Sequence, residues 1–112
     1  MIACERGDVV LVGFVFSDES GRKVRPALVI SSQAYQRARG ELIVAAITSN
    51  VRRRLFADHL LADWKAAGLL FPSVATAIVR TVQGTMVDRK LGSLTGADLE
   101  AVERQLRRAL GF

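Results

Sequence analysis

Apolar residues come in short dense runs separated by polar, turn-forming stretches, a pattern that predicts strands. Residues 8–16 (DVVLVGFVF) are almost all β-branched or aromatic and predict a first strand. The polar loop 17–23, with Gly21, ends it. Pro26 then opens an apolar run at 27–30, and a proline fits best at a strand's first residue or on a sheet edge. Residues 33–39 suit one short helical turn closed by Gly40. The run 41–48 (ELIVAAIT) is apolar enough to be buried on both faces. Residues 49–54 are polar and basic and are placed in a loop or at a strand edge. Beyond them the pattern predicts a short strand at 55–61, a helical turn at 63–68 stopped by its glycine, a strand at 73–82 and a short strand at 87–94. Trp64, Phe71, Phe14 and Phe16 are assigned mostly to the core.

The C-terminal end predicts a helix. Thr95 with Asp98 three residues on forms an N-terminal cap of the capping-box type, with Asp in place of Glu or Gln. Leu99, Val102, Leu106 and Leu110 recur at helical spacing, while Glu100, Glu103, Arg104, Arg107 and Arg108 face away. Gly111 ends the helix, and acidic residues early with arginines late is the order its dipole favours. The fold class is therefore mainly β, a small and strongly bent antiparallel sheet of five or so short strands with a C-terminal amphipathic helix.

Composition adjusts this picture in several ways. At 112 residues the chain is read as one domain, 1–112, burying about two-thirds of its unfolded surface. Half of its residues are apolar and its mean hydropathy is +0.23, so part of the apolar surface is assigned to an oligomer interface. No apolar run approaches the roughly 18–20 residues of a membrane span, and MIACERGD brings charge at once, so a cytoplasmic location is expected. Cys4 stands alone and is read as a small hydrophobe rather than a nucleophile. One Cys and one His argue against a zinc site, and no metal or cofactor is expected. The single histidine, His59, is read as a strand or interface residue rather than a catalyst.

Charge is unevenly spread. Residues 1–21 hold Arg6 against Glu5, Asp8, Asp18 and Glu19, a net of −3. Residues 22–54 hold Arg22, Lys23, Arg25, Arg37, Arg39, Arg52, Arg53 and Arg54 against Glu41, a net of +7. Such a block suits a polyanion, and a solvated face of a basic protein accounts for it equally well.

Three motifs occur in order: Arg6-Gly-Asp-Val-Val-Leu-Val, Arg25-Pro-Ala-Leu-Val-Ile-Ser31 and Ala46-Ile-Thr-Ser49. Asp63-Trp-Lys-Ala-Ala-Gly-Leu69, Pro72-Ser-Val74, Arg80-Thr-Val82 and Leu91-Gly-Ser-Leu94 follow. The set resembles the PemK/MazF family, the toxic half of type II toxin–antitoxin pairs. The resemblance implies a Src-homology-3-like small barrel with a C-terminal helix, acting as a homodimer. It also implies a metal-independent endoribonuclease cutting single-stranded RNA, often at short sequences, and leaving 2′,3′-cyclic phosphate and 5′-hydroxyl ends. A cognate antitoxin would cover the RNA groove with a segment that orders on binding, and promoter DNA would be met only through that antitoxin.

By the same resemblance the catalytic arginine falls on Arg25 and the catalytic hydroxyl on Thr48. A planar guanidinium can pair with two nonbridging oxygens as charge builds on the phosphate, and it stays protonated, so its role is stabilisation rather than proton transfer. Arg22, Lys23, Arg52, Arg53, Arg54 and Ser49 are candidate RNA-backbone contacts, and Phe16 a candidate base stack. The chain departs from the family at one point. Where some members carry an acid three residues before the Arg-Thr dipeptide, it has Ala77, and loop 17–23 has no histidine. Asp18 and Glu19 lie in that loop, and the deprotonating group stays unassigned. A weak or inactive member is therefore an alternative. So is a gyrase poison of the CcdB type, which depends on a Trp near the C-terminus where this chain reads Ala109-Leu-Gly-Phe112.

Overall fold

The structure, a computed structural model, describes residues 2–15 and 21–112, with the backbone alone at 14, 15 and 22. Strands β1 (Asp8–Val15), β2 (Arg22–Val29), β3 (Glu41–Thr48), β4 (His59–Leu60), β5 (Val74–Gln83) and β6 (Val87–Ser93) form one six-stranded sheet, ordered β4-β5-β3-β2-β1-β6. Every pairing is antiparallel. Helix α1 (Gln33–Arg39) links β2 to β3, and α2 (Gly96–Leu110) follows β6. Among the described residues no helix is long and apolar enough to cross a membrane.

Alternation along the strands divides the apolar residues between two cores. Val9, Leu28, Ala45 and Ile47 face α2, packing with Val102 and Leu106 of the helix and with Leu61 and Ala67. Val10, Val12, Ala27, Val29, Leu42, Val44 and Val82 point to the other side, where Cys4 and Val87 join them. Strand β3 contributes to both cores, as its unbroken apolar run predicts. Cys4 fills the small-hydrophobe role; burial, and next the Asp8 carboxylate, push its thiol up.

The sheet curls because its two edges are joined. The turn at 63–68 follows β4 at one edge and lies against β6 at the other. A Cβ on Gly68, which has φ 78°, would stand 2.2 Å from the Leu91 carbonyl oxygen, and one on Gly92 would stand 2.7 Å from the Ala67 carbonyl carbon. Only glycine allows this approach of backbone to backbone. At the N-terminal side, the Asp8 carboxylate takes the Glu5 N–H at 2.8 Å and the Ser93 hydroxyl at 2.7 Å, with Lys90 Nζ 3.3 Å away.

Three expectations are corrected. The strand at 55–61 shrinks to His59–Leu60, because the Asp58 carboxylate takes the Leu55 N–H at 2.8 Å and turns the chain instead. The Thr95 hydroxyl caps α2 by accepting the Asp98 N–H at 3.2 Å, but Asp98 does not complete a capping box. Its carboxylate takes the Ala62 and Asp63 N–H groups and the His59 Nε2–H, each at 2.9 Å, so it fastens the segment after β4 to the helix. Leu110 is exposed because the buried stripe of α2 stops at Leu106.

Candidate functional site

Strands β2 and β3 pair only at Ala27↔Ala46, Leu28↔Ala45 and Val29↔Val44. Beyond Ala27, β2 continues with β1 alone, Pro26 opposite Leu11 and Arg25 opposite Val12. Beyond Ala46, β3 continues with β5 alone, Ile47 opposite Ala75 and Thr48 opposite Val74. Pro26, with no N–H to donate, stands where the ladder stops. The Ala46 carbonyl is taken by the Thr76 hydroxyl at 2.8 Å, and the β3–β5 register shifts at the same place. The sheet therefore forks, and a groove of about 800 Å³ opens between residues 24–27 on one arm and 46–49 on the other.

Arg25 and Thr48 each lie two residues past the last pair, on facing arms, and both line the groove. The Arg25 side chain is exposed, donates through Nη1 to the Val24 carbonyl at 3.2 Å and makes no ion pair among the described residues. Most of its N–H groups thus point to solvent. The Thr48 hydroxyl oxygen accepts the Asn50 N–H at 3.1 Å, which leaves its proton to be donated into the groove. Ser49 lines the same arm.

Two cations that sequence reasoning did not assign also reach the groove. Arg80 stands on β5 opposite Val44, and Arg89 on β6 opposite Leu11. Arg80 belongs to the Arg-Thr dipeptide already noted, and that was the available signal; Arg89 carried none, because only the return of β6 to β1 brings it in. The remaining wall is apolar, formed by Leu69, Leu70, Phe71, Ile78 and Leu91. Phe71 was expected in the core but is 64% exposed. Among the described residues no Asp, Glu or His lines the groove. Ala77, at the family's acidic position, is half-buried against the core beneath α2.

Other expected contacts lie elsewhere. Lys23 is exposed on β2 but does not line the groove. Arg52, Arg53 and Arg54 are exposed in the loop after Thr48 and also stand outside its lining. That loop is shaped by the Asn50 Oδ1 accepting the Arg52 N–H at 3.3 Å, and its far end by Phe56, over which the Arg108 guanidinium sits 4.7 Å from the ring centre. The backbone of Arg22 is in β2, with its side chain outside the described residues, as is all of Phe16. His59 is in β4 and serves Asp98, which agrees with a strand role. Among the described residues no group of three or more His, Cys, Asp or Glu gathers as a metal site.

Residues 5–110 match the model of the PemK-like, MazF-like toxins of type II toxin–antitoxin systems. The chain belongs to this family. Its fold is similar to a MazE–MazF complex from Deinococcus radiodurans, with a TM-score of 0.82 and 22% identity over 99% of both chains. It is similar to a mycobacterial endoribonuclease in complex with its cognate antitoxin, with a TM-score of 0.79 and 21% identity over 98% of this chain and 97% of that one. MazF alone from Deinococcus radiodurans gives 0.76 and 25% identity over the whole of both chains. No curated protein matches the chain significantly in sequence. Within this toxin, Gly7-Asp8 of the first motif fastens the sheet, whereas the Arg25 and Thr48 motifs form the groove.

Proposed function

We propose that this toxin is a sequence-selective endoribonuclease that cuts single-stranded RNA without metal, at a phosphate held between Arg25 and Thr48. The observation that carries this reading is the fork, which presents a guanidinium and a hydroxyl from facing arms of one groove. Attack of a 2′-oxygen on phosphorus builds charge on the nonbridging oxygens. Arg25 neutralises that charge through paired N–H groups, and Thr48 donates its remaining proton to the same phosphate. The bond from phosphorus to the 5′-oxygen then breaks, and that oxygen takes a proton from water, giving a 2′,3′-cyclic phosphate and a 5′-hydroxyl. Arg80 and Arg89 hold neighbouring phosphates. Proton removal from the 2′-hydroxyl falls to a group outside the described lining, since no carboxylate or imidazole stands there.

In this reading the toxin works in the cytoplasm as a homodimer. A cognate antitoxin segment orders in the groove, and promoter DNA is met only through that partner. The similar fold of an endoribonuclease held by its antitoxin, and of a MazE–MazF complex, supports the partner. The absence of an acid among the described lining residues favours a second reading, a family member that binds RNA and cuts it weakly or not at all. Labelled single-stranded RNA incubated with purified protein in EDTA separates the two. Discrete fragments ending in cyclic phosphate support the first reading. Binding without cutting supports the second, and cutting that EDTA abolishes and Mg²⁺ restores overturns the metal-independent mechanism.

A further inference from the structure

We infer that Phe71 is a base-stacking platform, the element of the groove that takes the nucleobase adjoining the phosphate at Arg25 and Thr48. The inference rests on the endoribonuclease reading and adds to it a subsite for the base. Phe71 is the aromatic residue among the described groove lining, and the residue is 64% exposed although aromatic side chains gain most by burial. The ring's backbone is nevertheless fixed. The Phe71 carbonyl accepts the hydroxyl of buried Ser73 at 2.8 Å, and Pro72 restricts the conformation of the residue before it. Upstream, the Leu69 N–H is held by the Trp64 carbonyl at 3.1 Å, and Gly68 is wedged against Leu91. An exposed apolar ring on an anchored segment is preorganised for a flat partner, with little ordering left to do on binding.

The other exposed aromatic rings differ. Phe56 is covered by the Arg108 guanidinium, and Phe112 ends the chain away from the groove. Among the described residues, only Phe71 brings an exposed aromatic side chain to the cavity that also holds cations and a hydroxyl. This pairing of phosphate-binding groups with a π face is what an unstacked nucleotide of single-stranded RNA requires. Leu69, Leu70 and Ile78 extend the wall for the sugar edge.

The test uses a mixed-sequence single strand made wholly of 2′-O-methyl nucleotides, which cannot be cut, with 2-aminopurine placed at each position in turn. With the parent protein, fluorescence at one position is expected to quench on binding. Phe71→Leu keeps an apolar side chain but removes the π face, and should lose that quench and weaken binding about tenfold to a hundredfold. Phe71→Trp should retain both. Phe71→Leu binding with parent affinity and quench overturns the inference while RNA cutting by the parent leaves the activity standing. Phe71→Leu that changes only self-association assigns the ring to a protein interface and also overturns it. A parent that neither binds nor cuts RNA overturns the endoribonuclease reading, and the stacking inference with it.

Discussion

Replacing Asp98 tests how the groove wall is held. The carboxylate is buried and receives three hydrogen bonds, from His59 in β4 and from Ala62 and Asp63 just after it, each at 2.9 Å. Burial alone would raise its pKa, but the Ala62 N–H, the His59 side chain and the Asp63 N–H outweigh it and hold the carboxyl below its ordinary 3.8. Asp98→Ala strips all three bonds. Ala62 and Asp63 are exposed residues, so water reaches part of each N–H and the lower part of the usual range of about 1–3 kcal/mol per orphaned group applies. The total is about 2–4 kcal/mol, or roughly 8–16 °C in Tm for a chain of this size. Thermal and urea unfolding measure it, and limited proteolysis should show earlier cleavage at 61–71. Because the folded pKa is lowered, this stabilisation is fully present above the unfolded value near 3.8 and is lost as pH falls through the folded value. The stability gap between parent and Asp98→Asn should therefore be constant above about pH 5 and narrow below it. An Asp98→Ala loss under about 1 kcal/mol, or a gap that widens in acid, would refute the reasoning.

Three further outcomes follow from the groove. Arg25→Ala should lower the RNA cutting rate about 10²–10³-fold with the unfolding midpoint unchanged, and Thr48→Ala should lower it less because water partly replaces a hydroxyl; parent-like cutting by Arg25→Ala would remove it from the site. Gly68→Ala should cost about 3 kcal/mol or more in urea unfolding, since its methyl would meet the Leu91 carbonyl at 2.2 Å in a left-handed backbone. RNA affinity should fall with salt by about 0.7 in log–log slope per phosphate neutralised, and Arg52, Arg53 and Arg54 changed together to Gln should flatten that slope by up to about 2 for all sequences alike. An unchanged slope would make those three arginines a solvated face.

Much of the molecule was legible from local pattern. Apolar runs placed most of the strands, and β3's unbroken run foretold its burial on both faces. Gly40 closed the short helix expected at 33–39, and Gly111 ended the helix that 3.6-residue spacing and the Thr95 cap announced. Those signals act over a few residues, through backbone freedom and side-chain alternation, so they survive in a one-dimensional reading. The ordered motifs named the family and pointed to Arg25 and Thr48, while the spacing alone could not put the two side chains in one cavity.

What the sequence determined by itself is most of the elements, the burial of β3 on both faces and the two residues most worth testing. Tertiary structure decided the rest, because the remaining facts depend on partners far away along the chain. The fork exists only because β2 keeps β1 and β3 keeps β5 beyond Ala27 and Ala46. Arg89 enters the groove only because β6 returns to β1, and Arg52–Arg54 stay outside its lining despite following Thr48 directly. Asp98 looked like half of a local cap but spends its carboxylate on residues 35 to 39 positions earlier. Phe71 looked like core by composition, yet it is exposed and lines the groove, on a segment held at Gly68 and Ser73. In each case the deciding energy is a contact between segments whose separation in sequence carries no local signal, and it is fixed only when the sheet closes.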